Sequence, residues 1–228
     1  MPDLAPFRPA AERAAAFVTD GAAVGLGTGK AATAFIHVLG ERVKAGLAVR
    51  GVPTSEASAA LARQLGIPLT TFDDTPELEV AIDGADEVDP HGRLIKGYGG
   101  ALLREKIVAA AARRFVVLVG EEKLVAALGE HGKLPVEVVP FGLPTVRRRL
   151  AGFCEPMLRT ADGGGPFVTD NGNYILDCRV PALDDPARWE REVCAIPGVV
   201  DTGLFLGMAD AVVIQHPDRV EVREFSRG

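Results

Sequence analysis

The chain has 228 residues, of which 47% are hydrophobic and 25% charged, and its formal net charge is −6. That length admits one large domain, or one domain with a smaller insert, of ordinary soluble globular composition. The acidic balance argues against nucleic acid or an anionic membrane as partner, and no apolar run reaches the length of a membrane span.

In chain order the first half alternates helix and strand signals. Pro9 to Val18 reads as a helix stopped by Gly21, and Ala22 to Leu26 as a short apolar strand. Ala31 to Val43 has helical apolar spacing, Leu47 to Val52 reads as a strand, and Glu56 to Leu65 as a helix ended by Gly66. Leu78 to Ile82 and Arg93 to Ile95 read as strands, Ala101 to Arg113 as a helix, and Phe115 to Val119 as a fully apolar strand. This alternation predicts a parallel sheet with helices on both faces.

After residue 130 the pattern changes. Val136 to Val139, Glu155 to Leu158, Phe167 to Thr169, Tyr174 to Val180 and Val199 to Phe205 read as strands. Pro144 starts a helix to Leu150, Pro186 to Ala195 reads as another, and Asp170–Asn171–Gly172–Asn173 supplies a hairpin turn. The β-α-β-β-α-β order predicts a ferredoxin-like α+β unit. Ala211 to Gln215 and Arg219 to Phe225 then return the chain to the first domain. The expected fold is therefore α/β: a parallel-sheet Rossmann-like domain (residues 1–130 plus 207–228) with a smaller ferredoxin-like α+β domain inserted (131–206).

The N-terminal stretch MPDLAPFRPAAERAAAF lacks the layout of a signal peptide. Cys154, Cys178 and Cys194 are odd in number and far apart, as expected of buried thiols in a reducing cytoplasm. His37, His91, His131 and His216 form no metal-spaced cluster with cysteine, so no zinc site is expected. Of the 25 basic residues only six are lysine. Lys30, Lys96 and Lys123 all fall on loops that follow predicted strands, where a point charge can meet phosphate or an enolate oxygen.

Four segments could carry chemistry. Gly25 to Phe35, GLGTGKAATAF, joins a strand to a helix through glycines at alternate positions. It is open between a tight turn and an anion cradle at a helix N-terminus. Its glycine spacing is not the dinucleotide fingerprint, and Ala31 after Gly29–Lys30 rules out a P-loop. Ala81 to Asp89, AIDGADEVD, packs Asp83, Asp86, Glu87 and Asp89 into seven residues after a strand. Asp83 and Asp86 bracket a turn and can face one crevice, whereas Glu87 and Asp89 read as a solvated acidic loop. A magnesium site is a second reading, ranked below hydrogen bonding to sugar hydroxyls. Arg93 to Arg113 runs from Lys96 through Gly97–Tyr98–Gly99–Gly100 into a helix with Glu105 in its second turn. From the residues alone Glu105 reads as a surface carboxylate favoured near a helix N-terminus; the alternative is a general base. GEEKL, Gly120 to Leu124, places Lys123 after the apolar strand.

Together these segments resemble the A-type ribose-5-phosphate isomerase family. The similar blocks are GLGTG, PTSEASAALARQLGIPL, DGADEVD, LIKGYGGALLREKIVA, KLPVEVVPF, DNGNYILD and IPGVVDTGLF, in the family's order over nearly the whole chain. The resemblance implies a cytoplasmic, cofactor-free and metal-free enzyme of the pentose phosphate pathway that interconverts ribose 5-phosphate and ribulose 5-phosphate. It implies Glu105 as the proton acceptor, Asp83 and Asp86 as sugar-site carboxylates that assist ring opening, and Lys96 beside the reacting oxygens. Thr28, Gly29, Lys30 and Ala31 fall on the phosphate-side loop, Lys123 on a further substrate-contacting lysine, and Gly84, Ala85, Gly97, Tyr98 and Gly99 on substrate-lining turns. A homodimer or a dimer of dimers is implied as the assembly. Two segments depart from the family, at three positions: GTGKA stands where GTGST is usual, which changes Lys30 and Ala31, and Tyr98 stands where glycine is usual.

Two rival functions share parts of this pattern. A sugar-phosphate-sensing regulator domain would bind without turnover, but no helix-turn-helix is found beside it. A coenzyme A transferase would use a glutamate as a covalent nucleophile, but nothing here indicates a large nucleotide pocket.

Overall fold

The computed structural model describes residues 4–227; the first three residues of the N-terminal stretch considered above lie outside it. In chain order come α1 (Arg8–Ala15), β1 (Ala23–Leu26), α2 (Lys30–Lys44), β2 (Arg50–Pro53), α3 (Glu56–Gln64) and β3 (Val80–Asp83). Then follow β4 (Glu87–Val88), β5 (Leu94–Ile95), α4 (Leu102–Ala111), β6 (Phe115–Gly120), β7 (Leu134–Val138) and α5 (Leu143–Leu150). The chain closes with β8 (Glu155–Leu158), β9 (Tyr174–Arg179), α6 (Pro186–Cys194), β10 (Val199–Thr202), β11 (Leu204–Phe205), β12 (Ala211–Gln215) and β13 (Val220–Glu224).

Contacts divide the chain into two units. The first comprises Met1–Ala85, Arg104–Lys123 and Gly207–Gly228, and the second Asp86–Leu103 and Leu124–Leu206. The sequence expectation had drawn the insert as 131–206; the second unit also takes in Asp86–Leu103 and begins again at Leu124.

The first unit is built on a six-stranded sheet in the order β13-β12-β6-β3-β1-β2. All neighbours are parallel except β12 and β13. Every residue of β1, β3 and β6 is buried, which is why β1 and β6 read as continuous apolar runs rather than alternating ones. Phe35, Ile36 and Leu39 of α2 pack with Leu26, Ile82 and Leu118 in one core. Each such side chain contributes about 1.5–3 kcal/mol on burial. Ala10, Ala11, Ala14 and Ala15 of α1 are fully buried, and their small side chains let α1 lie close on α2. From β1 the connection runs through α2 to β2 on one side, and the next returns through α3 to β3 on the other. This reversal between β1 and β3 is where an open α/β sheet forms its ligand crevice, at the carboxyl ends of the strands.

The second unit contains an antiparallel sheet ordered β10-β7-β9-β8, crossed in sequence by α5 and α6. The chain order β7-α5-β8-β9-α6-β10 gives it the ferredoxin-like pattern. Asp185 caps α6 by accepting the Arg188 N–H at 2.9 Å, a contact worth about 1 kcal/mol.

Three predicted strands differ from what is observed. Arg93 to Ile95 shortens to β5 and leaves the parallel sheet, pairing antiparallel with β4 and β11 in a separate three-stranded sheet. Val199 to Phe205 is broken at Gly203: β10 pairs with β7, whereas β11 pairs with β5. Phe167 to Thr169 makes only an isolated bridge, Val168 to Tyr174.

Candidate active site

In the first unit the glycine loop leaves β1 under tight constraint. A Cβ on Gly25 would sit 2.5 Å from Val108 Cγ1, and one on Gly27 would collide with the Asp83 side chain. Gly29, at φ +102°, is the N-cap of α2, so Lys30 and Ala31 are its first residues. Gly29 and Lys30 are exposed, and Ala31 is buried. The loop and the first turn of α2 thus present the N-terminal end of a fifteen-residue helix, where N–H groups and the helix dipole favour an anion.

Asp83 is the last residue of β3 and only 2% exposed. Its Oδ1 accepts the N–H of Thr28 at 3.0 Å and of Gly84 at 2.7 Å, tying the loop after β1 to the loop after β3. Glu105 lies in the first turn of α4 and is 4% exposed, so its reading as a surface carboxylate is corrected. Helical spacing puts Val108 and Ala109 on its face, and Val108 seats against the bare backbone of Gly25. Gly25, Gly27, Thr54, Asp83, Glu105 and Val108, among others, surround one tightly packed gap with no room for a water molecule. Two predicted carboxylates and the glycine loop are therefore brought together at one place in the first unit. Lys123 is half-buried at the end of a 3-10 turn after β6, and Gly84 and Ala85 are half-buried in the loop after β3.

Thr54, Ser55 and Ser58, which gather around the already assigned Thr28, went unassigned in the sequence. The Thr28 hydroxyl lies 2.7 Å from Thr54 Oγ1, donates to Ser55 Oγ at 2.8 Å and lies 3.2 Å from Ser58 Oγ. Ser55 also caps α3, accepting the Ser58 N–H. The available signal was the run of hydroxyl residues in PTSEAS just before a helix.

The second unit holds the remaining predicted residues. The Lys96 N–H bonds to Gly203 O at 2.9 Å, and its Nζ lies 5.5 Å from the centroid of Phe205. Lys96 is 2% exposed. The turn after it has positive φ at Gly97 and Gly100 but not at Tyr98, so position 98 accepts a side chain. The Tyr98 hydroxyl donates to Lys133 O at 3.0 Å, Lys133 Nζ lies 4.6 Å from its ring centroid, and burial pushes its phenol above the ordinary range. The Tyr98 N–H donates to Asp86 Oδ2 at 2.9 Å, so Asp86 is held to the glycine turn. Gly99 is exposed.

Glu87 and Asp89 are not a solvated loop. Glu87 is fully buried and accepts the N–H groups of Gly129 at 2.6 Å and His131 at 2.8 Å. Asp89 is 2% exposed and closes its own turn by accepting from His91 N and Arg93 N, both at 2.9 Å. Both carboxylates are internal acceptors for backbone donors that burial would otherwise strand. Among the described residues no three His, Cys, Asp or Glu side chains gather as a metal-holding group, and no helix is long and apolar enough to cross a membrane.

Comparison with known proteins adds a family. The model of ribose 5-phosphate isomerase A (phosphoriboisomerase A) matches residues 50–219. Ribose-5-phosphate isomerase A of Roseiflexus castenholzii is 57% identical over 216 residues, 93% of this chain and 92% of that protein. That of Rhodopseudomonas palustris strain HaA2 is 49% identical over 224 residues, 95% of this chain and 96% of the relative. Among solved structures, a D-ribose-5-phosphate isomerase in complex with phospho-erythronic acid superposes with a TM-score of 0.93 at 40% identity, covering 98% of this chain and all of the other. The ribose 5-phosphate isomerase A of Methanocaldococcus jannaschii gives 0.91 at 42% identity, covering 96% and 97%.

Proposed function

The chain belongs to the ribose 5-phosphate isomerase A family and interconverts ribose 5-phosphate and ribulose 5-phosphate, and on that premise we propose that Glu105 carries the proton between the two reacting carbons. The observation that supports this is the convergence of Glu105, Asp83 and the glycine loop around one tightly packed gap. An aldose–ketose exchange moves a proton between C2 and C1 on one face of an enediolate. One rigidly held base can serve both carbons, and a nearly buried carboxylate in the first turn of a packed helix is held in that way.

The other roles follow from chemistry. Asp83 and Asp86 assist ring opening by exchanging protons with the ring and anomeric oxygens. Lys96, buried in the second unit, stabilises the enediolate oxygen as charge collects on it. The phosphate lies at the N-terminus of α2, met by the N–H groups of Gly29, Lys30 and Ala31, with Thr28 fixing the loop and Lys30 supplying the charge that stands in place of a hydroxyl. Lys123 and the turns at Gly84, Ala85, Gly97, Tyr98 and Gly99 are the further substrate-binding positions. The related isomerase's complex with phospho-erythronic acid supports this reading, since a phosphorylated sugar acid presents two carboxylate oxygens where an enediolate presents two.

We place the enzyme in the cytoplasm, in the non-oxidative pentose phosphate pathway, as a homodimer or a dimer of dimers, without metal or organic cofactor. Three free cysteines fit a reducing compartment. The decisive experiment is solvent exchange: ribose 5-phosphate deuterated at C2 should lose its label to water during turnover, and retention of all label in product would exclude a solvent-exchangeable carboxylate as the carrier.

A further inference from the structure

We infer that Arg159 is a positioning residue for the isomerisation, fixing the peptide planes of the Gly97–Gly100 turn; this rests on the reading that the turn meets the reacting end of the sugar. Arg159 follows β8, and its side chain is only 10% exposed. Its Nε donates to Asp177 Oδ2 at 3.0 Å and its Nη2 to Asp177 Oδ1 at 2.5 Å, a two-pronged pairing that sets the guanidinium plane. The remaining nitrogen, Nη1, donates to Gly97 O at 3.0 Å and Tyr98 O at 3.1 Å.

These two carbonyls decide how the turn faces. In a trans peptide the C=O and the next N–H point in opposite directions. Gly97 C=O and Tyr98 N–H belong to one peptide, and both ends are held: the oxygen by Arg159, the N–H by Asp86 Oδ2. Tyr98 C=O and Gly99 N–H belong to the next. With its oxygen on Arg159, that peptide must aim the Gly99 N–H away from the guanidinium, at an exposed position of the turn. Arg159 thereby orients one N–H donor and one carboxylate, Asp86, that the reaction uses. Lysine cannot reproduce this, because one ammonium cannot fork to Asp177 and also reach both carbonyls.

The test uses the full-length enzyme with Arg159→Lys and Asp177→Asn. For each, kcat and KM for ribose 5-phosphate are measured with inhibition by phospho-erythronic acid and by inorganic phosphate. Arg159→Lys should lower kcat about 10- to 100-fold and weaken phospho-erythronic acid comparably. Inhibition by inorganic phosphate, whose loop lies on the first unit, should stay within about twofold. Asp177→Asn should show the same split to a smaller degree, and it carries the test if Arg159→Lys does not fold. A variant with near-normal kcat, or one weakened equally toward both inhibitors, would overturn the inference, since a merely structural residue has no reason to separate them. Wild-type enzyme that phospho-erythronic acid does not inhibit would instead sink the underlying reading of the turn, and the inference with it.

Discussion

Gly25 and Val108 meet with no room for a side chain between them: a Cβ on Gly25 would lie 2.5 Å from Val108 Cγ1 and 2.7 Å from Ala81 Cβ. The contact sets how closely α4 approaches β1, and Glu105 lies one helical turn ahead of Val108. Gly25→Ala should therefore destabilise the fold by about 1–3 kcal/mol, as overpacking does. Because the helix must shift, kcat should fall by more than KM rises. Urea unfolding with steady-state kinetics checks both. A variant that loses stability but keeps kcat would show that the position of Glu105 tolerates the shift.

Glu105→Gln keeps the side chain's shape and removes its ability to accept a proton. The variant should lose about 10²–10⁴-fold or more in kcat. It should still bind ribose 5-phosphate, since the loop at Thr28–Ala31 is untouched, and it should stop exchanging the C2 label with water. Circular dichroism confirms folding, and calorimetry reads the binding. Near-normal turnover in a folded variant would move the base to Asp83 or Asp86.

Lys30 stands exposed at the first position of α2. Phosphate binding is shared by ground and transition states, so Lys30→Ala should raise KM more than it lowers kcat. An unchanged KM would leave the phosphate to the helix N-terminus alone.

Glu87→Gln should weaken the fold without touching the proposed chemistry. Gly129 N–H and His131 N–H each use one oxygen of Glu87, and an amide nitrogen in either place sets donor against donor. The expected cost is about 1–3 kcal/mol, measured as a lower urea midpoint. Loss of kcat without loss of stability would contradict this structural role.

Activity should survive exhaustive dialysis against EDTA. The carboxylates that could have held magnesium already accept backbone hydrogen bonds: Asp83 from Thr28 and Gly84, Asp86 from Tyr98, Glu87 from Gly129 and His131, Asp89 from its own turn. Loss of turnover that returns with magnesium or manganese would reopen their assignment.

The framework of the fold was legible because its strongest signals are local. Phe115 to Val119 is apolar throughout since β6 is buried on both faces, and the Asp170–Asn173 turn announces the start of β9. What escaped depends on distant partners. Glu87 reads as a loop acid until Gly129 and His131, some forty residues on, supply its donors. Gly203 divides one apolar run between two sheets, and no periodicity marks that. Within the candidate site the residues alone put Asp83 at a crevice, whereas Glu105 was reached only through family resemblance. Local pattern alone left Glu105 on the surface, because the feature that buries its helix is the missing side chain of Gly25. The conformation of Tyr98 was likewise invisible: a glycine-rich turn does not say which of its members need positive φ.

The division of the chain between its two units bears on how it is made. The sequence passes from one unit to the other four times, after Ala85, Leu103, Lys123 and Leu206. β12 lies directly beside β6, although some ninety residues separate them, and β13 closes the sheet beyond it. On the ribosome the first unit therefore waits: β6 keeps an open edge while the whole of Leu124–Leu206 is synthesised. The second unit can fold in that interval, but the parallel sheet that carries Asp83 cannot close until Ala211–Gln215 emerges. Such late pairing of distant strands is slow and leaves a sticky edge exposed. A nascent chain stalled near residue 206 should accordingly be protease-sensitive and bound by chaperones, and release of the last strands should be the step that makes it resistant.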